Sequence, residues 1–253
     1  MIRKVVEKSM IKNEVSIMDI PFVNATRSAF IEQKIRPMLE SEEKCFIVTA
    51  NPEIVMETRR NPEYKKIVQS ANFVVPDGVG ILLAAKRKKE PLLERIAGFD
   101  LMQDLLQLAD ENRAKCFFLG ASEEVNKLVV EKIRHQFPNI KIAGRHHGYF
   151  DLGDLRVVEM VKDSDPDFVF VALGYPKQER WIHENLHHFT KGIFMGVGGS
   201  FDVIAGKVKR APDIWIKWNL EWLYRIIQQP FRMKRILPVF KFLFLIYLKR
   251  EHE

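Results

Sequence analysis

Six short apolar runs, separated by amphipathic stretches, constrain this chain more than anything else in it. KCFIVTA (44–50), ANFVVPDG (71–78), AKCFFLGA (114–121), NIKIAGRH (139–146), PDFVFVALG (166–174) and KGIFMGVGG (191–199) each have strand length and end in small or turn residues. Between them lie segments such as SEEVNKLVVEKIRHQF (122–137), with apolar residues at helical spacing. Strands that are apolar nearly throughout belong in a sheet covered on both faces. The alternation therefore predicts an α/β fold, Rossmann-like, with a mainly parallel sheet flanked by helices, and Ser122 is expected to cap the helix after FFLGA. Ligands of such sheets bind beyond the carboxyl ends of the strands, so the residues just after each run are the candidates for a site.

Charge divides the chain in two. Residues 1–206 carry 29 Lys and Arg against 29 Asp and Glu, so the whole excess of +7 lies in residues 207–253, where 11 basic residues meet 4 acidic ones. The expected organisation is an α/β domain over 1–206 and a basic, aromatic-rich C-terminal appendage over 207–253. Cationic residues interleaved with Trp, Phe, Leu and Ile, as in IWIKWNLEWLYRIIQQPFRMKRILPVFKFLFLIYLKR, suit an anionic membrane surface. Its most apolar part, ILPVFKFLFLIYL (236–248), has 13 residues and includes Pro238 and Lys241. A spanning helix needs about 20 apolar residues, so this one is expected to lie in the interface rather than cross it. The alternative is a helix packed on the protein's own core or on another subunit. MIRKVVEKSMIKNEV has no sustained apolar run of a secretory signal, and Cys45 and Cys116 sit in apolar runs as small hydrophobes. These features lead us to expect a reduced, cytoplasmic setting, peripheral on the inner face of the cell membrane.

The strand endings are chemically unusual. They read Thr49-Ala50-Asn51-Pro52-Glu53, Pro76-Asp77-Gly78-Val79-Gly80, Gly174-Tyr175-Pro176-Lys177-Gln178-Glu179 and Gly196-Val197-Gly198-Gly199-Ser200-Phe201-Asp202. Singly, each has a structural explanation: Asp-Gly is a common turn pair, Asn51 suits a helix cap, and GVGGS allows a tight strand-to-helix connection. Together they put polar groups on one sheet edge. A glycine-rich turn of this kind favours a diphosphate, yet GVGGS matches neither GxGxxG with its later acidic residue nor GxxxxGK[ST]. The carboxylates of DSDPD (163–167) and DLGD (151–154) imitate a metal-binding D-x-D but read better as solvated caps, and no His or Cys group has zinc spacing. No metal or other cofactor is expected.

TANPEIV (49–55), VPDGVGI (75–81), ERIAGFDLM (94–102), HHGYF (146–150), FVALGYPKQE (170–179), MGVGGSFDVIAGKVKRAP (195–212) and LEWLYRIIQQPFRMKR (220–235) closely resemble the WecG/TagA/CpsF glycosyltransferases, over roughly residues 15–235 and most closely the TagA branch. The resemblance implies an inverting transfer of N-acetylmannosamine from UDP-ManNAc to GlcNAc-diphospho-undecaprenol, the first committed step of wall teichoic acid synthesis. Relatives handle UDP-ManNAcA, UDP-glucose and other donors, so donor identity is open. It also makes 1–206 a catalytic domain and maps the family's catalytic carboxylate onto Asp77 and its TxN motif onto Thr49 and Asn51.

That chemistry needs a base for the acceptor hydroxyl and stabilisation of the departing UDP. Asp77 is the expected base, with Thr49 and Asn51 bonding sugar or phosphate oxygens. Without a metal, guanidinium groups must neutralise the diphosphate; Arg95, Arg225, Arg232 and Arg235 are the candidates. Gln178 and Glu179 are expected to orient nucleotide or sugar, and Gly198, Gly199, Ser200 and Asp202 to hold uracil, ribose or diphosphate. A single helix from Trp215 to Gln228 would put Trp218, Trp222 and Arg225 on one face. Two other classes compete: a cytoplasmic enzyme of another phosphorylated substrate whose tail is a homo-oligomer contact, and a non-catalytic membrane- or nucleic-acid-binding module. The neutral body and the absence of any nucleic-acid motif speak against nucleic acid as a partner.

Overall fold

The computed structural model describes residues 10–218, 221–228 and 236–248. All six apolar runs are strands: β3 (Lys44–Ala50), β4 (Phe73–Pro76), β5 (Lys115–Gly120), β6 (Lys141–His146), β7 (Phe168–Ala172) and β8 (Gly192–Gly196). They form one sheet in the order β4-β3-β8-β7-β5-β6, and every pairing in it is parallel. A hairpin that the sequence reading did not anticipate precedes them, β1 (Ile11–Ile17) with β2 (Ile20–Ala25). Met18 and Asp19, both at positive φ, make its two-residue turn.

Alternate residues of each strand enter different cores, as the two-residue pleat requires. Phe46, Val48, Ala50, Phe117, Leu119, Val169, Val171 and Phe194 face one layer, together with Tyr64, Trp181 and Ile182. Cys45, Ile47, Cys116, Phe118, Phe168, Phe170, Ile193 and Met195 face the other, against Leu101, Leu105, Val129 and Phe201. The two thiols are free and buried, and that burial pushes both up from the ordinary cysteine range. Ser122 caps its helix, Glu123–Gln136, by accepting a hydrogen bond from the Val125 N–H.

The C-terminal segment departs from expectation at one point. Instead of one helix over 215–228, the chain forms Asp213–Lys217 and then Glu221–Gln228, with Trp218 closing the first. Trp218 therefore shares no helix face with Trp222 and Arg225. The helix Ile236–Leu248 packs on the helices Pro52–Arg60 and Val79–Arg87. Phe242 and Ile246 are buried there and join the first core, whereas Leu237, Phe240, Phe244, Tyr247 and Leu248 remain exposed. Packing on the protein's own core thus holds for one face of this helix only. Among the described residues no helix is long and apolar enough to cross a membrane.

Candidate active site

The carboxyl ends of β3 and β4 are adjacent, and the chain that follows each builds the centre of the site. β4 ends at Pro76, and the Asp77 N–H continues the ladder by donating to the Ala50 carbonyl at 3.0 Å. The loop after the helix Val79–Arg87 returns to the same edge: the Ile96 N–H donates to the Pro76 carbonyl at 2.8 Å, and the Leu93 N–H to Asn24 Oδ1 at 2.9 Å. This return delivers Gly98, the first residue of the helix Gly98–Glu111, whose N–H reaches Asp77 Oδ2 at 3.4 Å. A carboxylate at a helix N-terminus is favourably placed in the field of the peptide dipoles. Thr49, at the end of β3, closes the triangle. A β-carbon built on Gly98 would stand 3.1 Å from Thr49 Oγ1, so any side chain there would press on Thr49 and push it aside by a few tenths of an ångström.

Asn51 does two things at once. Its side-chain oxygen caps the helix Pro52–Arg60 by accepting from the Ile54 N–H at 3.0 Å. The cap fixes the amide group so that its nitrogen, which makes no hydrogen bond among the described residues, stays available as a donor. Glu53, the second residue of the same helix, accepts from the Tyr175 hydroxyl at 2.7 Å and so joins the endings of β3 and β7.

Gln178 and Glu179 are turned inward. Gln178 Oε1 accepts from the Gly198 N–H at 3.0 Å, and its Nε2 donates to Glu179 Oε1 at 2.8 Å. A β-carbon on Gly196 would lie 2.6 Å from that same nitrogen, so this first glycine of GVGG makes room for the glutamine amide. One backbone donor of the glycine-rich loop is thereby committed to Gln178, and the loop is held from beneath. Glu179 is fully buried; burial raises its carboxyl above the usual glutamate range, against the opposing pull of Gln178 and Tyr64. The neighbouring Tyr64 hydroxyl faces this carboxyl, and burial together with Glu179 pushes it upward. Gly199 precedes and Ser200 opens the helix Ser200–Ala205, and the Asp202 carbonyl accepts from the Lys207 and Val208 N–H groups, turning the chain out of the sheet.

From there the C-terminal segment crosses the site on charged contacts. Arg210 pairs with Asp100 and lies over the Phe99 ring, 4.6 Å from its centre; Arg27 reaches Asp100 and Asp104 from the other side. Arg95 and Glu221 then pair at 3.5 Å with both side chains nearly buried. Arg225 lies on the helix Glu221–Gln228 but its side chain is outside the described residues, as are Arg232 and Arg235 altogether. The acidic motifs have other tasks: Asp165 and Asp167 pair with Lys191, and Asp165 also with Lys115, whereas Asp154 caps the helix Leu155–Asp163. Among the described residues no three His, Cys, Asp or Glu side chains cluster to hold a metal ion.

A parallel sheet with a carboxylate, a hydroxyl, an amide and a glycine-rich turn on one edge is the arrangement that a nucleotide-sugar enzyme needs, and the comparison with known proteins decides which kind. The model of the glycosyl transferase WecG/TagA/CpsF family matches residues 15–253. The chain belongs to this family. It is 42% identical over 227 residues to the N-acetylglucosaminyldiphosphoundecaprenol N-acetyl-β-D-mannosaminyltransferase of Bacillus spizizenii, covering 89% of this chain and 88% of that relative. The protein of the same name from Bacillus subtilis strain 168 is 42% identical over 236 residues, 93% of this chain and 91% of its own length. That of Staphylococcus aureus strain MW2 is 40% identical over 232 residues, 90% and 91%. Within this WecG/TagA/CpsF glycosyltransferase, the sequence reading missed Gly98, Asp100, Arg210 and Glu221 as parts of the site. The signal was present in ERIAGFD and KVKRAP, but only the fold shows that these two segments meet.

Proposed function

We propose that this chain transfers N-acetylmannosamine, with inversion, from UDP-ManNAc to GlcNAc-diphospho-undecaprenol and so commits that lipid to wall teichoic acid. The observation that carries the reading is identity of 40–42% over nearly the full length of relatives named for that activity. The geometry supplies a chemistry for it. Asp77 takes the proton of the acceptor hydroxyl while that oxygen bonds to the anomeric carbon and the bond to UDP breaks, its electrons leaving with the diphosphate. One displacement inverts the centre. Thr49 and the Asn51 amide hold donor oxygens at the same edge, while Gln178 and Glu179 act through the Gly198–Gly199–Ser200 turn, which together with Asp202 borders the nucleotide. Arg95, aided by Arg225, Arg232 or Arg235, neutralises the diphosphate in place of a metal.

The acceptor's polyprenyl chain brings the reaction to the inner face of a membrane. The exposed face of Ile236–Leu248, with Lys241 beside its aromatic residues, supports contact with an anionic lipid surface. The test is a donor screen with a short-chain GlcNAc-diphosphate lipid, reading UDP and disaccharide. Turnover with UDP-ManNAc that survives EDTA is expected; preference for another UDP-sugar overturns the donor, and a strict Mg²⁺ or Mn²⁺ requirement overturns the cation assignment. Alanine variants of Arg225, Arg232 and Arg235 that keep liposome affinity identify which of them serves the diphosphate.

A further inference from the structure

We propose that Phe242, on the C-terminal helix Ile236–Leu248, is a positioning residue for the transfer: it closes the junction where the helices Pro52–Arg60 and Val79–Arg87 begin and so holds Asn51 and Asp77 at their working distance. The inference rests on the roles given above to those two residues. The ladder between β3 and β4 ends at Ala50 and Pro76, and the bond from the Asp77 N–H to the Ala50 carbonyl extends it by one step. Each strand then runs straight into its helix, the first starting at Pro52 and the second at Val79 after Gly78. The two starts interlock. A β-carbon on Gly78 would stand 3.6 Å from Pro52 Cδ and 3.9 Å from Asn51 Cβ, and one on Gly80 would stand only 2.6 Å from Pro52 Cγ. The proline ring thus lies against a bare α-carbon, and the segments that carry Asn51 and Asp77 touch just beyond the end of the ladder.

Phe242 reaches this junction from a separate part of the chain. Its Cε1 would lie 3.7 Å from the same β-carbon on Gly80, so Pro52 and Phe242 are the nearest neighbours of that point across the junction. The ring is fully buried, and its helix packs on both of the others. Contacts between apolar groups carry no direction, and the groups relax into any space left beside them. A bonded ladder keeps its spacing without help, whereas a proline ring on an α-carbon keeps it only while a third surface closes over the contact. Close packing passes a displacement at Gly80 to Asp77, three residues earlier, and one at Pro52 to Asn51, its neighbour. Small misplacements of reacting groups are enough to slow a reaction. Ile246, one turn further along the helix, is buried in the same core but lies farther from that point than Phe242 does.

The test uses the full chain, the UDP-sugar selected by the donor screen and a short-chain GlcNAc-diphosphate lipid, with turnover expressed per UDP-binding molecule so that unfolded chain is not counted. Phe242→Ala is expected to lower kcat about tenfold. Phe242→Leu, which refills most of the space, is expected to bring it back to within about threefold of wild type. Ile246→Ala, which loosens the same helix to a similar extent in hydrogen exchange over 236–248, is expected to leave kcat within about twofold. In an Asp77→Asn background the loss caused by Phe242→Ala is expected to shrink to about threefold or less, because no base is left to misplace. A wild-type kcat in Phe242→Ala overturns the inference, as does an equal fall in Ile246→Ala or the same loss repeated in the Asp77→Asn background. Absence of transfer from any UDP-sugar defeats the proposed function and this inference with it, whereas normal wild-type transfer that Phe242→Ala does not slow defeats this inference alone.

Discussion

The carboxyl edge of the sheet and the C-terminal segment are fastened in different ways. At the edge, the reactive groups are set by bonds within the body: Asp77 by Ala50 and Gly98, Asn51 by its own helix, the glycine-rich turn by Gln178. The C-terminal segment is fastened by side chains, Arg210 on Asp100, Glu221 on Arg95, and Phe242 with Ile246 in the first core. Backbone ladders buried under two apolar layers open only with the whole domain, whereas side-chain docking of separate helices can open by itself. The proposed base and sugar contacts thus sit on the part that stays, and the charges proposed for the leaving group sit partly on the part that can move.

The sharpest way to break this comparison is at its fixed side. Asp77→Asn keeps the shape and the Gly98 contact but removes the base, and is expected to lower turnover by about 10²–10⁴-fold with UDP affinity nearly unchanged. Steady-state rates beside UDP titration check this; near-normal turnover removes Asp77 from the role. On the movable side, Phe242→Ala takes a fully buried ring out of the contact with the helices Pro52–Arg60 and Val79–Arg87. Loss of about 3 kcal/mol of docking energy is expected, with hydrogen exchange over 236–248 rising about 10²-fold while β3 and β8 stay protected. Equal loss of protection in the strands would show that this helix belongs to the body's cooperative unit. A smaller effect tests how finely the edge is set: Gly98→Ala crowds Thr49 Oγ1 and is expected to cost about tenfold in turnover, because displacements well under 1 Å at the reacting groups already matter.

The same division explains what could be read from the residues. Five of the six strands were legible because each is apolar on both sides of its pleat, the edge strand KIAGRH by its place after a helical stretch, and Ser122 because a serine ahead of Glu-Glu-Val is a cap by its chemistry alone. Asp77, Thr49 and Asn51 were legible as strand endings. The first hairpin was not, since IKNEVSI buries only part of its length and carries its turn on Met18 and Asp19, residues without the usual turn signature. The break at Trp218 lies in a stretch whose composition suits one continuous helix. The pairs Arg210–Asp100 and Arg95–Glu221 join residues more than a hundred positions apart, and spacing along a chain says nothing about charges that meet only through the fold. Gln178 and Glu179 look like ligand-facing polar residues in sequence; the inward turn of Gln178 uses the space that the missing β-carbon of Gly196 leaves.

The smallest effect concerns the support beneath the edge, and it separates the two regions most cleanly. Glu179 is fully buried, one oxygen is bonded to Gln178, and the Tyr64 hydroxyl faces the carboxyl. Burial raises its carboxyl in the folded state above the ordinary value of 4.5, so the native protein binds this proton more tightly than the unfolded chain does. Its stabilising contribution is therefore complete below the unfolded value and is lost as pH rises through the folded one. Glu179→Gln can keep the bond from Gln178 and carries no charge to desolvate. Relative to wild type, its stability is expected to improve as pH is raised from about 4.5 to 8, by roughly 1–3 kcal/mol, the scale of the desolvation penalty of a buried polar group. Denaturant midpoints at both pH values measure the difference. Since Glu179 touches only the body, the same shift is expected in a Phe242→Ala background, where the C-terminal helix is loosened. A shift that disappears there would mean that the helix reaches the interior of the edge, and the two regions would then have to be treated as one.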